Sequence, residues 1–311
     1  MKKLKCQDLI NRYKNLYSMN INADISEEMI WKHWELEKRL AKELLGSSPK
    51  NRWETFKRCY SVLYRDLWWL NHLCNTNAQI LPSELYKDWV NLLGPPPKKI
   101  YEVGSGKGEM IKYLASCGFE CKGMEITPER GEKFVSNYHN LSWGISDGIH
   151  FGRFELANSY DVVISRSVIE HLHPEDLFDH FKGVYFILKS GGTYIFDTPH
   201  KCNGPDDVSR VFMAEEPMGM HLKEYTYQEL KQLLVQTGFV NNSAVYKIPL
   251  KIRRLFGLWI NPKASRFFLN YLCILEKLIL LLPKQSARRM VTQISRVALF
   301  CPSIFIVAEK K

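Results

Sequence analysis

The chain has 311 residues, of which 45% are hydrophobic and 24% charged, and a formal net charge of +10. These proportions are ordinary for a soluble globular protein, and a chain of this length buries a core without disulfide staples. The N-terminal MKKLKC lacks the apolar run of a secretion signal, and no uncharged apolar stretch reaches the length of a spanning helix. The eight cysteines have no metal-ligand spacing, which indicates reduced thiols and a cytoplasmic protein.

Residues 1–97 are predicted to form an N-terminal helical region. One helix begins after Ser26, a suitable N-cap, and ends at Gly46. A second helix, rich in Trp and Tyr, is predicted over residues 51–74, and a third from about Ser83 to just before Gly94. The sequence GPPPKK then breaks the helical pattern, so we expect a domain boundary there and a second domain over residues 98–311.

From residue 98 onward, predicted strands alternate with predicted helices. The helices are expected up to Cys117, from Thr127 and Pro128 onward, which suit an N-cap and first helical position, and over residues 174–190 and 226–239. The last has a capping box from Thr226 to Glu229. The strands are expected over residues 98–103, 119–126, 141–145, 160–165, 191–199, 240–248 and 303–310. This order predicts an α/β fold with a doubly wound, mostly parallel, Rossmann-like sheet of seven strands.

A glycine-rich loop follows the first predicted strand. The sequence EVGSGKG places Gly104, Gly106 and Gly108 in the spacing G-x-G-x-G. A dinucleotide site needs G-x-G-x-x-G, and Glu109 stands where its third glycine would pack the helix on the strand. The strand residue Glu102 suits a ligand with an ammonium group better than a pyrophosphate. A tight turn that holds no ligand is the alternative interpretation.

These residues resemble the first motif of the class I S-adenosylmethionine-dependent methyltransferases, and the resemblance continues in order over residues 98–248. It implies methyltransferase activity, with S-adenosylmethionine as the cofactor. A nicotinamide (NAD) dehydrogenase and a non-catalytic cofactor-binding scaffold are the alternatives from other classes. The resemblance implies that the cofactor is bound by Glu102, Gly104, Ser105, Gly106, Gly108, Glu125, Ile126, Asp147, Gly148 and Ser165.

Three histidines follow strands at the edge of the sheet where ligands of open α/β folds bind. His171, His200 and His221 are therefore candidate general bases, a role that histidine suits near neutral pH. The sequence VIEHLHPED resembles the ubiquinone-biosynthesis O-methyltransferase group. Ser167 stands where that group has an acid, and we predict no metal site.

Residues 200–225 are predicted to form a polar insertion at the acceptor site. Its candidate acceptor-binding residues are Asp207, Arg210, His221, Lys223 and Glu224. They favour O-methylation of a sugar or another polar hydroxylated group, lipid-linked in envelope or glycan biosynthesis. A soluble phenol, quinone precursor or natural product is the alternative acceptor, and an exposed loop is the alternative role for the segment.

Residues 250–300 are predicted to form a basic, apolar helical insertion before the last strand. Ten basic residues and a single acid, Glu276, fall within residues 251–296. The apolar stretch RFFLNYLCILEKLILLLPK is too short and too charged to span a membrane comfortably. Its pattern favours peripheral binding to an anionic membrane at the inner face. An internal cap and a homodimer contact are the alternatives, and nucleic acid is the least favoured partner.

Overall fold

A computed structural model describes residues 6–73, 81–130, 138–246, 261–298 and 300–311. These residues form an α/β fold around an eight-stranded sheet with the strand order β3-β2-β1-β4-β5-β8-β6-β7. The strands are β1 Lys99–Val103, β2 Glu120–Glu125, β3 Leu141–Ile145, β4 Tyr160–Arg166, β5 Leu188–Pro199, β6 Phe239–Tyr246, β7 Lys263–Ser265 and β8 Ser303–Lys310.

Eleven α-helices surround this sheet within the described ranges. Six precede it in the chain: α1 Cys6–Leu16, α2 Glu27–Leu45, α3 Arg52–Asp66, α4 Trp68–Leu73, α5 Pro82–Leu85 and α6 Lys87–Leu93. The others are α7 Glu109–Ser116, α8 Leu177–Ile187, α9 Tyr227–Gln236, α10 Arg266–Leu280 and α11 Gln285–Ile294. In the described part of the chain, no helix combines the length and apolar character needed to cross a membrane.

The doubly wound sheet predicted from the sequence is confirmed, with eight strands rather than seven. Strands β1 to β5 pair in parallel, and β8 lies antiparallel between β5 and β6. The additional strand, β7, pairs antiparallel with β6 at the edge of the sheet. Its sequence KAS has neither β-branched nor aromatic residues, so the sequence gives no signal for this strand.

The central strands are apolar because helices cover both faces of a parallel sheet. Four of the five residues of β1 are buried, and β4 is buried from Val162 to Ser165. Because β1, β2 and β4 are parallel, their carboxyl ends lie at the same edge of the sheet. The helix predicted to follow β2 falls largely on residues 131–137, which lie outside the described residues.

The N-terminal helices do not pack as a separate unit. Ser26 caps α2 by accepting a hydrogen bond from the backbone N–H of Met29 at 3.2 Å, as predicted. The long second helix is divided at Leu67 into α3 and α4. The hydrophobic core of α1–α4 includes side chains from residues 208–222, namely Val208, Val211, Met220 and Leu222.

The described part of the late insertion, residues 261–298, is mainly helical as predicted, whereas residues 247–260 lie outside the described ranges. Helix α10 is fastened to the start of α9 by its buried Glu276. The carboxylate of Glu276 accepts hydrogen bonds from the backbone N–H groups of Tyr227 and Gln228, both at 2.7 Å. These bonds satisfy two N–H groups at a helix start that otherwise have no partner in the helix.

Candidate active site

A cavity of about 850 Å³ opens at the carboxyl ends of β1, β2 and β4, and we call it the main cavity. Segments after these strands line one side, and helices α2 and α3 line the other. Ligands of open α/β sheets bind at this edge. Among the lining residues from the sheet are Gly104, Gly106, Glu125, Ile126, Asp147, Gly148, Ser167 and His171.

The glycine loop brings backbone atoms to the wall of this cavity. Gly104, Gly106 and Gly108 have φ angles of 65°, 57° and 71°, a left-handed conformation that glycine adopts without strain. A Cβ at Gly104 would lie 2.6 Å from Val168 Cγ2, whereas a Cβ at Gly106 would meet nothing within 4 Å. The loop therefore leaves room beside Gly106, and α7 begins directly after it with a helix N-terminus that favours an anion.

Two carboxylates predicted from the sequence line the main cavity. Glu125 Oε1 accepts a hydrogen bond from the N–H of Gly106 at 2.6 Å, and burial raises the pKa of Glu125. Asp147 Oδ1 accepts hydrogen bonds from the N–H groups of Ile149 and His150, at 2.9 and 2.8 Å. Each acid thus orders a loop and also presents a carboxylate to the cavity.

Glu102 is buried behind the glycine loop. Its Oε2 has no hydrogen-bond partner among the described residues, and burial raises the pKa of Glu102 to about 7 against the opposing effects of Ser105 and Arg166. Ser105 Oγ donates to the carbonyl of Glu102 at 3.1 Å, and Ser165 Oγ lies 2.7 Å from the hydroxyl of Tyr194. Both serines are therefore engaged within the protein, and neither lines the main cavity.

His171 and His221 lie together beside the main cavity, with ring centroids 4.8 Å apart. His171 Nδ1 donates to the carbonyl of Met220 at 2.9 Å, and His221 Nδ1 lies 2.9 Å from Glu224 Oε1. Because an oxygen acceptor binds each Nδ1, the tautomer of a neutral ring is fixed and its Nε2 is left for a proton or a ligand.

Glu170 completes this group, and we call Glu170, His171 and His221 the Glu-His cluster. One ligand atom from each of the three side chains lies within 4.8 Å of the others. Glu170 Oε2 accepts a hydrogen bond from Thr198 Oγ1 at 2.9 Å, and Oε1 has no partner among the described residues. Two imidazoles and a carboxylate at these distances can move a proton or hold a divalent cation.

The pKa values of the three side chains move in different directions. Burial raises the pKa of Glu170 to about 7 and lowers the pKa of His171 to about 3. Burial also disfavours the charged form of His221, but its bond to Glu224 and the charges of Glu170 and Asp207 outweigh this and raise its pKa to about 9. At neutral pH, His171 is therefore a neutral acceptor beside a positively charged His221.

A family model described as a methyltransferase domain matches residues 78–244, more than half of the chain. The chain belongs to this methyltransferase family. It is 25% identical over 215 residues to a ubiquinone biosynthesis O-methyltransferase of Ralstonia nicotianae, an alignment that covers 66% of this chain and 84% of the relative. It is also 25% identical over 155 residues to an uncharacterized methyltransferase of Synechocystis, covering 48% and 70% of the two chains.

Methyltransferases are also among the solved structures to which the chain is similar, at low sequence identity. A SAM-dependent methyltransferase from Archaeoglobus fulgidus is 18% identical, with a TM-score of 0.49, and the alignment covers 75% of this chain and 94% of that chain. The family model, which matches more than half of the chain, confirms the S-adenosylmethionine-dependent methyltransferase predicted from the sequence.

The residues of the methyltransferase cavity fit this cofactor. S-adenosylmethionine carries an ammonium, a carboxylate and a ribose diol. Behind the glycine loop, Glu102 does not line the cavity itself, but its Oε2 has no partner in the part of the chain that the structure describes, which suits the ammonium. The open side of Gly106 and the start of α7 suit the carboxylate, and the carboxylate of Glu125 can accept bonds from the diol.

His200 lies outside the main cavity of the methyltransferase. It is fully buried, with Nε2 3.0 Å from Glu276 Oε2, and Nδ1 accepts a hydrogen bond from the N–H of Cys202 at 2.9 Å. The structure therefore places His200 in the contact between the insertion of residues 200–225 and helix α10. We do not retain it as a candidate base.

The predicted acceptor-binding residues mainly bond to other residues of the insertion or to Glu229, and they do not line the main cavity. Asp207 accepts from the N–H groups of Ser209 and Gly219, each at 2.9 Å. Arg210 pairs with Asp206 at 2.7 Å, and Lys223 pairs with Glu229 at 3.0 Å. Lys223 and Glu224 line a second, smaller cavity of about 280 Å³.

One wall of the main cavity was not predicted from the sequence. Helix α3 contributes a row of aromatic residues, which we call the aromatic wall: Trp53, Phe56, Tyr60 and Tyr64. Burial raises the pKa values of Tyr60 and Tyr64, so both hydroxyls stay neutral. The spacing of 3, 4 and 4 residues places the row on one helix face, a signal that was present in a helix already noted as rich in Trp and Tyr.

Proposed function

We propose that this methyltransferase methylates a hydroxyl oxygen of a small acceptor held between the aromatic wall and the Glu-His cluster. The observation that carries the proposal is a single cavity lined by the glycine loop, by Glu125 and Asp147, and by His171. S-adenosylmethionine supplies an electrophilic methyl group on a sulfonium sulfur. The protein has to align the hydroxyl with that methyl group and accept one proton.

The Glu-His cluster suits proton transfer because its members hold one another in place. The bond from His171 Nδ1 to Met220 directs the neutral Nε2 of His171 as an acceptor. Behind it, the buried pair of His221 and Glu224 fixes the second imidazole. Glu170 Oε1, which has no partner within the described ranges, gives the proton a further acceptor within the cluster.

The aromatic wall, whose Tyr60 ring lies 6.4 Å from the ring of His171, supports a planar, phenol-type acceptor. Aromatic rings pack against other rings in offset or edge-to-face geometry, which gives a planar acceptor a preferred orientation. A sugar needs many hydrogen-bonding groups, and the polar groups of residues 200–225 are mostly paired with one another. The name of the Ralstonia relative, an O-methyltransferase, supports oxygen as the methylated atom.

The same cluster supports a second candidate function, cation-assisted O-methylation. Both Nδ1 atoms are bonded within the protein, which orients each Nε2, and a cation bound at His221 would displace the proton that this imidazole carries at neutral pH. Glu170 Oε1 would be the third ligand. A cation held there would bind the hydroxyl of the acceptor and favour its ionised form.

Transfer of label from methyl-labelled S-adenosylmethionine tests both candidates with a panel of phenols, catechols, sugars and amines. We expect labelled phenol or catechol ethers, and a fall in turnover of about 10²–10⁴-fold for His171→Ala. The matched control is His139→Ala, an exposed histidine away from the cluster. Activity that persists in EDTA supports direct proton transfer, whereas loss restored by Mn²⁺ or Zn²⁺ supports the cation. Label only on amines, or on no acceptor at all, would contradict the proposal.

A further inference from the structure

Helix α10 exposes a continuous row of apolar side chains that the methyltransferase site does not use. The row, which we call the exposed stripe, repeats at intervals of 4, 3, 4 and 3 residues. At about 100° per residue, its members fall within about 40° of a single line along the helix. They are Phe267, Tyr271, Ile274, Leu278 and Leu281, with 89%, 41%, 60%, 58% and 78% of their surfaces exposed.

The opposite face of α10 keeps the stripe turned outward. Leu269, Leu272 and Ile279 are buried in the core of the sheet domain. Glu276 lies about 180° from the centre of the stripe, and its carboxylate is held by the N–H groups of Tyr227 and Gln228 and by His200. Rotation of the helix to bury the stripe would leave this buried carboxylate without partners.

Neighbouring α11 also exposes apolar side chains. Its side chains Met290 and Ile294, one helical turn apart, are 60% and 62% exposed. A single exposed apolar side chain is ordinary, but a contiguous row of this length marks a contact with a partner or a membrane.

The charges around the stripe favour an anionic partner. Residues 261–298 contain seven basic residues and one acid, the buried Glu276. Arg288 and Arg289 donate to backbone carbonyls of Leu282 and Gly204. The remaining basic side chains stay at the surface near the stripe or beyond its ends: Lys263, Arg266, Lys277, Lys284 and Arg296.

These charges also argue against a second copy of the chain as the occupant. A symmetric dimer through the stripe would bring the same basic residues of both copies together. Like charges placed across an interface cost free energy, and within residues 261–298 no exposed acid offsets them. An anionic lipid surface instead provides apolar chains for the stripe and phosphates for the lysines and arginines.

We propose that α10 and α11 dock the methyltransferase on an anionic lipid bilayer, with α10 lying in the plane of the surface. The stripe enters the boundary between head groups and acyl chains. The flanking basic side chains stay at the level of the phosphates. This inference is independent of the acceptor and of the roles of the Glu-His cluster.

Vesicle flotation of the full chain tests the inference. We expect binding to vesicles that contain phosphatidylglycerol. Binding to neutral phosphatidylcholine vesicles should be weaker by about tenfold or more. The double variant Ile274→Glu/Leu278→Glu should abolish binding. Its matched control is Leu156→Glu/Ile21→Glu, which makes the same charge change at apolar side chains that are 81% and 83% exposed elsewhere. Lys277→Gln/Lys284→Gln should weaken binding by about tenfold or more, and high salt should weaken it too.

Binding of S-adenosylhomocysteine by every variant keeps loss of docking separate from loss of folding. Absence of binding to both kinds of vesicle would overturn the inference. Equal binding by the stripe variant and its matched control would overturn it as well. Sedimentation that shows a dimer abolished only by the stripe variant, without vesicle binding, would assign the stripe to a second copy instead.

Discussion

Gly104 and Gly191 share a left-handed backbone and differ in what surrounds them. Their φ angles are 65° and 74°, but a Cβ at Gly104 would lie 2.6 Å from Val168 and one at Gly191 would meet nothing within 4 Å. Alanine at either position should cost about 1–2 kcal/mol of stability from backbone strain. Only Gly104→Ala should also displace the wall of the main cavity and weaken cofactor binding by about 1–3 kcal/mol. Calorimetric titration with S-adenosylhomocysteine checks this, and equal loss of affinity in both variants would contradict it.

The raised pKa of Glu102 makes both stability and cofactor binding depend on pH. An ordinary glutamate has a pKa of about 4.3, whereas that of buried Glu102 is about 7. Between these values, the folded chain holds a proton that the unfolded chain has lost, so this residue lowers stability as pH rises through the window. Glu102→Gln should remove that fall and be more stable than the wild type at pH 8.

The same titration should change affinity in the opposite direction. An acid with a pKa of about 7 goes from roughly 10% to roughly 90% ionised between pH 6 and pH 8. If the carboxylate binds the ammonium of the cofactor, wild-type affinity for S-adenosylhomocysteine rises by up to about tenfold over this range, and that of Glu102→Gln does not. Glu120→Gln, at an exposed position on the next strand, is the control. Parallel pH profiles for the wild type and Glu102→Gln would refute the pairing.

Residues whose role depends on local backbone chemistry could be predicted from the sequence. The loop glycines, Glu125 and Asp147 lie at strand ends or within a few residues after them, and all line the main cavity except Gly108. The role of His200 could not be read in this way, because Glu276, the residue that holds it, is 76 positions away in the chain. Likewise, His171 and His221 are 50 positions apart, and only the fold makes them a pair.

At the level of elements, α2 supports the cluster through a chain of buried hydrogen bonds. Tyr13 bonds to His33, His33 bonds to Glu37, and Glu37 Oε2 accepts from the N–H of Met220 at 3.1 Å. The carbonyl of that same Met220 holds His171. Helix α2 therefore positions one catalytic candidate from more than a hundred residues away.

Removal of this support should lower turnover and leave cofactor binding unchanged. Glu37→Ala frees the backbone at Met220, and misplacement of a reacting group by about 1 Å can cost about 10²-fold in rate. We expect a fall in kcat of about ten- to a hundredfold and partial rescue in Glu37→Gln, whose carbonyl can still accept from Met220. Glu35→Ala, at an exposed position of the same helix, is the control. A loss of S-adenosylhomocysteine affinity equal to the loss of turnover would contradict a positioning role.

Strong periodic elements could be predicted to within a few residues, and weak ones could not. Strands β3 and β8 begin and end where their apolar patterns do. The break between α3 and α4 at Leu67 follows no Gly or Pro, so only packing fixes it. The spacing of the aromatic wall predicts one face of a helix. Whether that face lines the cavity or packs in the core depends on how α3 contacts the sheet domain.

At the scale of the whole molecule, the N-terminal helices and the insertion after β5 share one core. Trp34 of α2 stacks on Phe212 with ring centroids 4.8 Å apart, and Val208 and Met220 are buried in the same cluster. The proline run at residues 95–97 marks a change of pattern along the chain. It does not show that these helices close one side of the main cavity, because the contacts join residues far apart in the chain, such as Tyr60 and His171.

This shared core predicts that the methyltransferase unfolds as one unit. Separation of α1–α4 from the sheet would expose a cluster that includes Trp34 and Leu40 on one side and Val208, Val211 and Met220 on the other. Scanning calorimetry should therefore show one transition, moved as a whole to higher temperature by S-adenosylhomocysteine, because a ligand stabilises the state that binds it. Trp34→Ala should lower this single midpoint, since loss of a buried Trp costs about 3–5 kcal/mol, whereas alanine at the exposed Trp68 should not. Two transitions, of which the ligand shifts only one, would instead make the helices an independent domain.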